Sequence, residues 1–544
     1  MLAGAGPGDF AGRIVRALGL RLDLAERALE RLAPGPLLLL ANRPYGLVEG
    51  CALQPLLAAR RGDLLILDDR LLEQDPDAAK GCLGPGSPAE RLARAAAHLA
   101  SGGAVLAFVG PGLGHGRLER GQDRRQALAL ACLARESGAA VQALRLSGGK
   151  RRLFLRSLGL DKPGWRRVAL GRAFRSAVPR IGLTLGAALP AAELALPLKE
   201  AEAAELLALR FWLLSRRGRR TPRAAGWPLA GDRRPLASAV PGAVLERELQ
   251  GLGPAARLAH SGDLECWVAG YDSIPNIMRE IGRVREQTFR SVGEGTGLPL
   301  DLDRFDRHYR QLFLWSRSRR AVVGGYRFAE LDAVLEAYGP DGLYTHSLLR
   351  YAPELLERLG PALELGRSFV AEDLQRSYVP LQLLWRGIGS WVADHPRHRL
   401  LFGLVSMSAD YQGLSRELAA SFIKQHLYRG DLARLARPRR PYLPGYVPGR
   451  HDALTWRLGG DLERLSQWIS EIEPDGKGLP VLFRQYARLG GFFFGFNVDP
   501  QFGGALDALV CVDLARTEPR LLQRHLGAAG AARFLARQAE GVGA

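Results

Sequence analysis

Two successive series of short apolar runs, each interrupted by segments of helical period, limit what this chain folds into. In the first series, residues 37–41, 64–67 and 104–108 have the length and composition of buried strands, the last opened by Gly102 and Gly103. Helical patterns lie between and around them. They run over 10–32, with Phe10, Ile14, Leu18 and Leu22 on one face, then 127–136 and 200–216. Strands separated by helices predict a mainly parallel sheet. The second series predicts strands at 264–269, 311–316, 320–330, 363–370 and 400–406. Its helices fall at 273–290, 380–394 and 414–429. Between the two series, 216–242 is rich in Arg, Pro and Gly and has no period, which reads as a linker. The expected fold class is therefore α/β in two domains, residues 1–215 and 243–520, with a C-terminal tail at 521–544.

The apolar runs are also too short for a bilayer. The longest, at 36–41 and 491–496, fall far below the ~20 residues a spanning helix needs. Asp9 and its Gly and Pro neighbours break any apolar core of a signal peptide. The cysteines, Cys51, Cys82, Cys132, Cys266 and Cys511, are odd in number and far apart, with neither redox nor metal-ligand spacing. These features predict a cytoplasmic protein, soluble or peripheral, with no metal. At 47% hydrophobic and 24% charged residues, disorder along the whole chain is excluded.

The net charge of +19 predicts attraction to acidic partners: anionic lipid, nucleic acid or an acidic protein. Residues 145–180 hold eleven Arg or Lys against Asp161 alone, which reads as a solvated face or as a contact with an inner-leaflet membrane surface. Nucleic acid is the poorer fit, because no recognition motif is present and aromatic residues do not interleave with the basic runs.

Chemistry concentrates in 283–370. Arg285 and Phe289 share a helix, and the acidic turn Asp301-Leu-Asp303-Arg-Phe305-Asp306 follows. Then come the strand Val-Val-Gly-Gly-Tyr-Arg327 and the strand Glu364-Leu-Gly-Arg367-Ser368-Phe-Val. Alternation along the last strand puts Glu364 and Ser368 on one face and Arg367 on the other, unless Gly366 marks a bulge. By residue type alone, this is either an internal ion-pair network or a catalytic site.

The order of these motifs, continued by Leu-Leu-Trp-Arg-Gly-Ile at 383–388 and Leu-Phe-Gly-Leu-Val-Ser406-Met-Ser-Ala-Asp-Tyr at 401–411, resembles the acyl-homoserine-lactone synthase branch of the GNAT superfamily. It is closer still to the N-acyltransferases that make lyso-ornithine lipid. Asp301 stands where the synthases usually carry Glu. Residues 38–52 and 102–110 resemble lysophospholipid acyltransferases, with Arg43 at the place of the catalytic His and Glu49 at that of its acid. The two-part order, with 496–514, resembles fused ornithine-lipid synthases, also described as hemolysin-like.

The resemblance implies an acyltransferase-like α/β sheet followed by a GNAT-like mixed sheet with a splayed centre and flanking helices. It implies N-acyl transfer from a (3-hydroxy)acyl group on acyl carrier protein, the donor substrate, to the α-amine of an amino acid, ornithine by default, with no bound cofactor. Glu364 would be the general base. Arg367 and Arg327 would hold Glu364 and the acidic turn, or bind the substrate carboxylate. Asp303 and Asp306 would receive the amine or fix Arg285. Arg285, Phe289, Ser368 and Ser406 would line the substrate. No glycine-rich pyrophosphate loop follows Val370, which favours the acidic carrier protein over CoA; the Arg-rich stretch 429–450 is one docking candidate. Arginine stays protonated, so Arg43 cannot serve as a base, and Glu49 is expected to pair with it. The first domain is then expected to lack O-acyl transfer, although His115 remains a substitute base and His98 is the domain's other histidine. The alternatives are a bifunctional enzyme that also O-acylates the product, and a non-catalytic basic scaffold at the membrane.

Overall fold

The computed structural model describes residues 11–12, 15, 21–23, 26–43, 49–69, 72–110, 121–148, 180–195, 200–216, 234–443 and 458–540. The chain divides into two compact units, Met1–Gly218 and Arg219–Ala544.

The first unit holds a six-stranded sheet. Its strands are β1 (Arg21–Asp23), β2 (Leu37–Asn42), β3 (Leu64–Ile66), β4 (Ala104–Val109), β5 (Ala140–Gly148) and β6 (Arg180–Leu189). They lie in the order β1-β6-β5-β2-β4-β3, and only β5 and β6 run antiparallel. The centre explains the unbroken apolar run. Along β2, Leu38 and Leu40 join one core with Leu130 and Phe211, while Leu37, Leu39 and Ala41 join another with Leu53 and Leu57. A strand covered on both faces has no polar alternation. The helix expected over 10–32 does not extend through its second half. Arg21–Asp23 instead pairs with β6, and Glu26–Arg31 is a 3-10 turn. Phe10, Ile14 and Leu18 lie outside the described residues.

The second unit is built on an eight-stranded mixed sheet. Among the described residues its strands, in chain order, are β7 (Arg257–Ser261), β8 (Leu264–Ala269), β9 (Arg310–Ser316), β10 (Ala321–Glu330), β11 (Leu349–Tyr351), β12 (Leu363–Val370), β13 (Leu400–Met407), β14 (Ala436–Pro438), β15 (Phe492–Asp499) and β16 (Ala505–Asp513). The sheet order is β15-β16-β13-β12-β10-β9-β8-β7, and β11 pairs with β14 in a small sheet of its own. Every neighbouring pair in the large sheet is antiparallel except β12 and β13. That parallel pair touches only over Leu363–Leu365 against Leu401–Gly403 and then parts. Beyond it β12 stays with β10, and β13 stays with β16. Gly403 permits the last close approach, since a Cβ there would lie 2.2 Å from the Leu365 carbonyl oxygen.

Helices Pro275–Ser291, Val379–Asp394 and Gly413–His426 flank this sheet. Residues read from sequence as a tail are part of the unit. Pro519–Leu526 and Ala528–Glu540 are helices packed on Val379–Asp394. Gly389 lets the first of them sit close, with its missing Cβ 2.2 Å from the His525 carbonyl oxygen, and Trp385 meets the His525 ring at 5.9 Å.

Candidate active site

The motif residues converge from four elements. Helix Pro275–Ser291 supplies Arg285, which is 1% exposed. Its Nε donates to Asp301 Oδ2 at 3.1 Å and its Nη1 to Asp306 Oδ1 at 2.9 Å. Asp303 caps the 3-10 turn Arg304–Arg307, accepting from the Phe305 amide, while Asp306 reaches back to the Asp303 amide at 2.8 Å. This reciprocal cap fixes the acidic turn before any arginine arrives. Arg327 on β10 then grips Asp303 with both terminal nitrogens, at 2.6 and 2.8 Å, and lies 3.0 Å from Asp306. Burial alone would raise the Asp306 pKa, but the guanidiniums of Arg285 and Arg327 overcome it and hold the carboxyl well below its usual range. Asp303 is lowered for the same reason by Arg327 and Arg367 against its burial.

Arg367 closes the set. Its φ of 51° is in the left-handed region, where non-glycine residues are uncommon. The register against β10 shifts there: Gly366 faces Arg327 and Phe369 faces Gly325. Two residues of β12, Arg367 and Ser368, therefore oppose Tyr326 alone. This is a β-bulge, and it reverses the facing of the strand beyond it. Arg367 is thereby turned to Asp301 at 3.2 Å, Asp303 at 3.1 Å and the Tyr344 hydroxyl at 2.9 Å. Ser368 sits instead beside Tyr326. The unbulged alternation, with Ser368 beside Glu364, is corrected accordingly. Three arginines thus face three aspartates in one buried network.

Glu364 lies outside that network, at the closed end of the splay, opposite Phe402. It is 1% exposed. One oxygen accepts from the Tyr309 hydroxyl and the other from the Thr345 amide at 2.6 Å. Burial raises its pKa, with the Tyr309 and Thr345 bonds opposing. Tyr309 in turn accepts from the Tyr344 amide at 2.9 Å. With a donor on each oxygen in the interior, Glu364 is placed to hold this turn.

The remaining expected residues fall nearby. Phe289 meets Phe502 edge-on at 6.0 Å, and Arg367 lies 4.4 Å above the Phe502 ring. Ser406, where β13 has left β12, donates to Asp507 at 2.7 Å. Around that point stand carboxylates that motif reading passed over. Asp507 is on β16 and Asp499 ends β15. Glu294 is on the loop after helix Pro275–Ser291, a loop pinned by Glu286 accepting from the Thr296 and Gly297 amides. Burial, then Asp499 and Asp410, raise the Glu294 pKa to about 7, with Arg367 opposing. Burial and Asp499 push Asp507 well up, against the Ser406 bond and Arg367.

A cleft of about 680 Å³ opens where β12 ends, lined by Ala371–Asp373, Thr288 and three arginines, Arg283, Arg319 and Arg376. Within the Arg-rich 429–450, Arg429 pairs with Asp431 and Arg439 donates to the His346 carbonyl. Residues 444–450 lie outside the described residues.

In the first unit, Arg43 pairs with Asp69 at 2.9 Å, donates to the Asp68 carbonyl and lies 3.8 Å above Phe108. The partner of Arg43 is therefore Asp69 and not Glu49, which is fully buried at the start of helix Glu49–Ala58. His98 is bound to the Asp63 carbonyl at 2.7 Å. His115 and most of 145–180 lie outside the described residues. Among the described residues no helix is long and apolar enough to cross a membrane, and no group of three His, Cys, Asp or Glu is arranged to hold a metal ion.

Residues 284–386 match the acetyltransferase (GNAT) domain. Glycine N(alpha)-acyltransferase of Bacteroides thetaiotaomicron is 29% identical over 287 residues, covering 50% of this chain and 83% of its own. The enzyme of the same name from Phocaeicola vulgatus is 32% identical over 196 residues, covering 34% of this chain and 60% of its own. The chain is an acyltransferase, an enzyme of N-acyl transfer. A solved CoA-dependent acyl-homoserine lactone synthase, with SAM and isopentyl-CoA, aligns with 49% of this chain and 96% of its own at 13% identity and a TM-score of 0.24. A likeness that slight carries no weight for fold or mechanism.

Proposed function

We propose that the second unit joins an acyl group, delivered as a thioester, to the α-amine of an amino acid, as a step in making an aminolipid. The observation that carries this is the parting of β12 and β13 beside the buried Arg–Asp network. Among the described residues no strand lies between the edges at 366–370 and 404–407. Backbone N–H groups on such an edge polarise a thioester carbonyl as it becomes an oxyanion, and fixed donors of this kind contribute several kcal/mol to an acyl transfer. The network holds that edge still: Arg327 and Arg367 tie β10 and β12 to the acidic turn, and Glu364 ties β12 to Tyr309 and Thr345.

The names of the two relatives support glycine as the acceptor. A surplus of carboxylates at the open end of the splay favours a second reading, an acceptor with an additional ammonium, ornithine. The donor we propose is acyl carrier protein. The segment 371–378 has no glycine to cradle a pyrophosphate, the protein carries +19, and three arginines around the cleft beyond β12 suit the phosphate of a carried thioester arm. The same charge favours the inner face of the cytoplasmic membrane. For residues 1–215 we propose a lysophospholipid-acyltransferase-like domain without O-acyl transfer, because Arg43 occupies the place of the base and is committed to Asp69.

Lipid mass spectrometry of a heterologous host tests this. Expression of the full chain should yield a mono-acylated amino acid that is lost with Arg327→Met. A di-acylated product would make the first domain active. No N-acyl product from the expressed chain would remove the proposal.

A further inference from the structure

We propose that the acceptor's amine is seated as an ammonium between Glu294, Asp499 and Asp507, and that Glu294 takes its proton. This deepens the N-acyl transfer reading and rests on it.

The seat is assembled by register. Ser406, Asp507 and Asn497 are directly opposite one another across β13, β16 and β15, so their side chains share one face of the sheet. Asp499 lies two residues further along β15 and faces the same way. Glu294 arrives from the other side. Its neighbour Gly293 has φ 77° and lies against both Asp410 and the Phe502-Gly503 turn. A Cβ on Gly293 would be 2.7 Å from Asp410 Oδ2, and one on Gly503 would be 2.6 Å from the Gly293 carbonyl oxygen. The loop, the turn that follows Asp499 and the end of β13 therefore meet at one place.

Hydrogen bonding inside the seat is incomplete. Asp507 is 3% exposed, and while Oδ1 takes the Ser406 hydroxyl, Oδ2 has no partner. The Nδ2 of Asn497, 1% exposed and directly opposite, has none either. Buried carboxylate oxygens are almost always bonded, and leaving one bare is costly. Two cations act on the seat: Arg367, whose guanidinium already serves Asp301, Asp303 and Tyr344, and Arg440, which acts on Asp499. Neither supplies a hydrogen bond to the bare Asp507 oxygen. Among the described residues no group is arranged for a metal ion. An amine cation brings N–H donors for the bare Asp507 oxygen and a positive charge for the carboxylates that act on one another there.

The groups facing Glu294 are Asp499, Asp410 and Arg367, with Tyr411 behind; those facing Asp507 are Asp499, Glu294, Ser406 and Arg367, with Tyr344 beside them. The step balances as follows. The ammonium gives one proton to the Glu294 carboxylate. The neutral nitrogen attacks the thioester carbon, forming C–N as C–S breaks, and the second N–H proton goes to the departing thiolate. Products are the amide and the free thiol, and Glu294 returns its proton to water. A base that titrates near 7 is suited to this work at neutral pH.

The test is steady-state thiol release by the full chain with a saturating acyl thioester and either glycine or ornithine. Asp507→Asn should raise the acceptor KM about ten- to a hundredfold, the loss of a hydrogen bond to a charged group, with the donor KM unchanged. Glu294→Gln, on a loop and with little bearing on folding, should lower kcat about a hundredfold or more and remove the rise of kcat/KM through pH 7. Glu364→Gln should keep that rise. Intact acceptor KM and pH profile in both seat variants would overturn the seat alone. So would loss of the pH rise in Glu364→Gln and not in Glu294→Gln. No thiol release from the intact chain with any amino acid would overturn the N-acyl transfer reading and the seat with it.

Discussion

Replacing Arg285 by Met keeps the length of the side chain and removes one cation from a buried set of three. Asp301 and Asp306 each lose a contact, at 3.1 and 2.9 Å, but each keeps another: Arg367 at 3.2 Å and Arg327 at 3.0 Å. Breaking a buried pair by removing one partner costs about 3–5 kcal/mol, since a charge is left uncompensated. The surviving contacts place Arg285→Met at the lower end, about 3 kcal/mol. The pH dependence follows from the lowered pKa of Asp306. A carboxyl held below its unfolded value stabilises the protein fully above that value, ~3.9, and less as pH falls toward the folded one. In the variant Asp306 protonates more readily and sheds its uncompensated charge. The stability gap between intact chain and variant should therefore hold from pH 7 down to about 4 and narrow below it. Urea unfolding of the full chain, followed through the fluorescence of Trp315, Trp385 and Trp391, all buried in the second unit, measures it. A change under about 0.5 kcal/mol at pH 7, the size of an ordinary surface substitution, would refute the reasoning. A gap that widened below pH 4 would do the same.

Three further outcomes follow from single contacts. Gly403→Ala puts a Cβ 2.2 Å from the Leu365 carbonyl oxygen; it should cost about 1–3 kcal/mol in urea unfolding and lower N-acyl transfer with it. Tyr309→Phe strips Glu364 of one donor and the Tyr344 amide of its acceptor. It should cost about 1–3 kcal/mol and reduce kcat, whereas Tyr338→Phe, on an exposed ring, should do neither. Arg43→Ala removes the 2.9 Å ion pair to buried Asp69 and should destabilise the first unit by about 1–3 kcal/mol in limited proteolysis, with N-acyl transfer per folded molecule unchanged.

Much of the site was legible because its residues sit in short contiguous motifs. Arg285, Asp303, Asp306, Arg327 and Arg367 were all singled out, and they meet in one network. The β12 strand was read with its observed ends, 363–370. Facing along that strand was less accessible. Gly366 hinted at a bulge, but the extra residue is Arg367, and only the register with β10 reveals that Arg367, not Ser368, turns toward the acids. Glu364 stood out as an acid within a motif, while its two internal donors, Tyr309 and Thr345, lie 55 and 19 residues away in the chain. Asp507 and Asp499 carry no local signal at all: each is an acid at a strand position, and their meaning comes from opposition to Ser406 and from a loop more than 200 residues earlier. Arg43 was weighed against Glu49, six residues on, whereas its partner is Asp69 across the sheet. The C-terminal helices were missed because what seats them is a distant helix, through Gly389 against His525 in the first and Ala393 against Gly530 in the second.

Amide formation by the second unit at the parting of β12 and β13 is the proposal on which the others rest. The most direct measurement is the product mass from purified full-length chain incubated with a 3-hydroxyacyl thioester of acyl carrier protein and isotopically labelled glycine or ornithine. The expected product is an N-acyl amino acid carrying the label, formed with one free thiol per amide and lost with Arg327→Met. Release of free fatty acid alone, with the label never entering an acylated product, would contradict it.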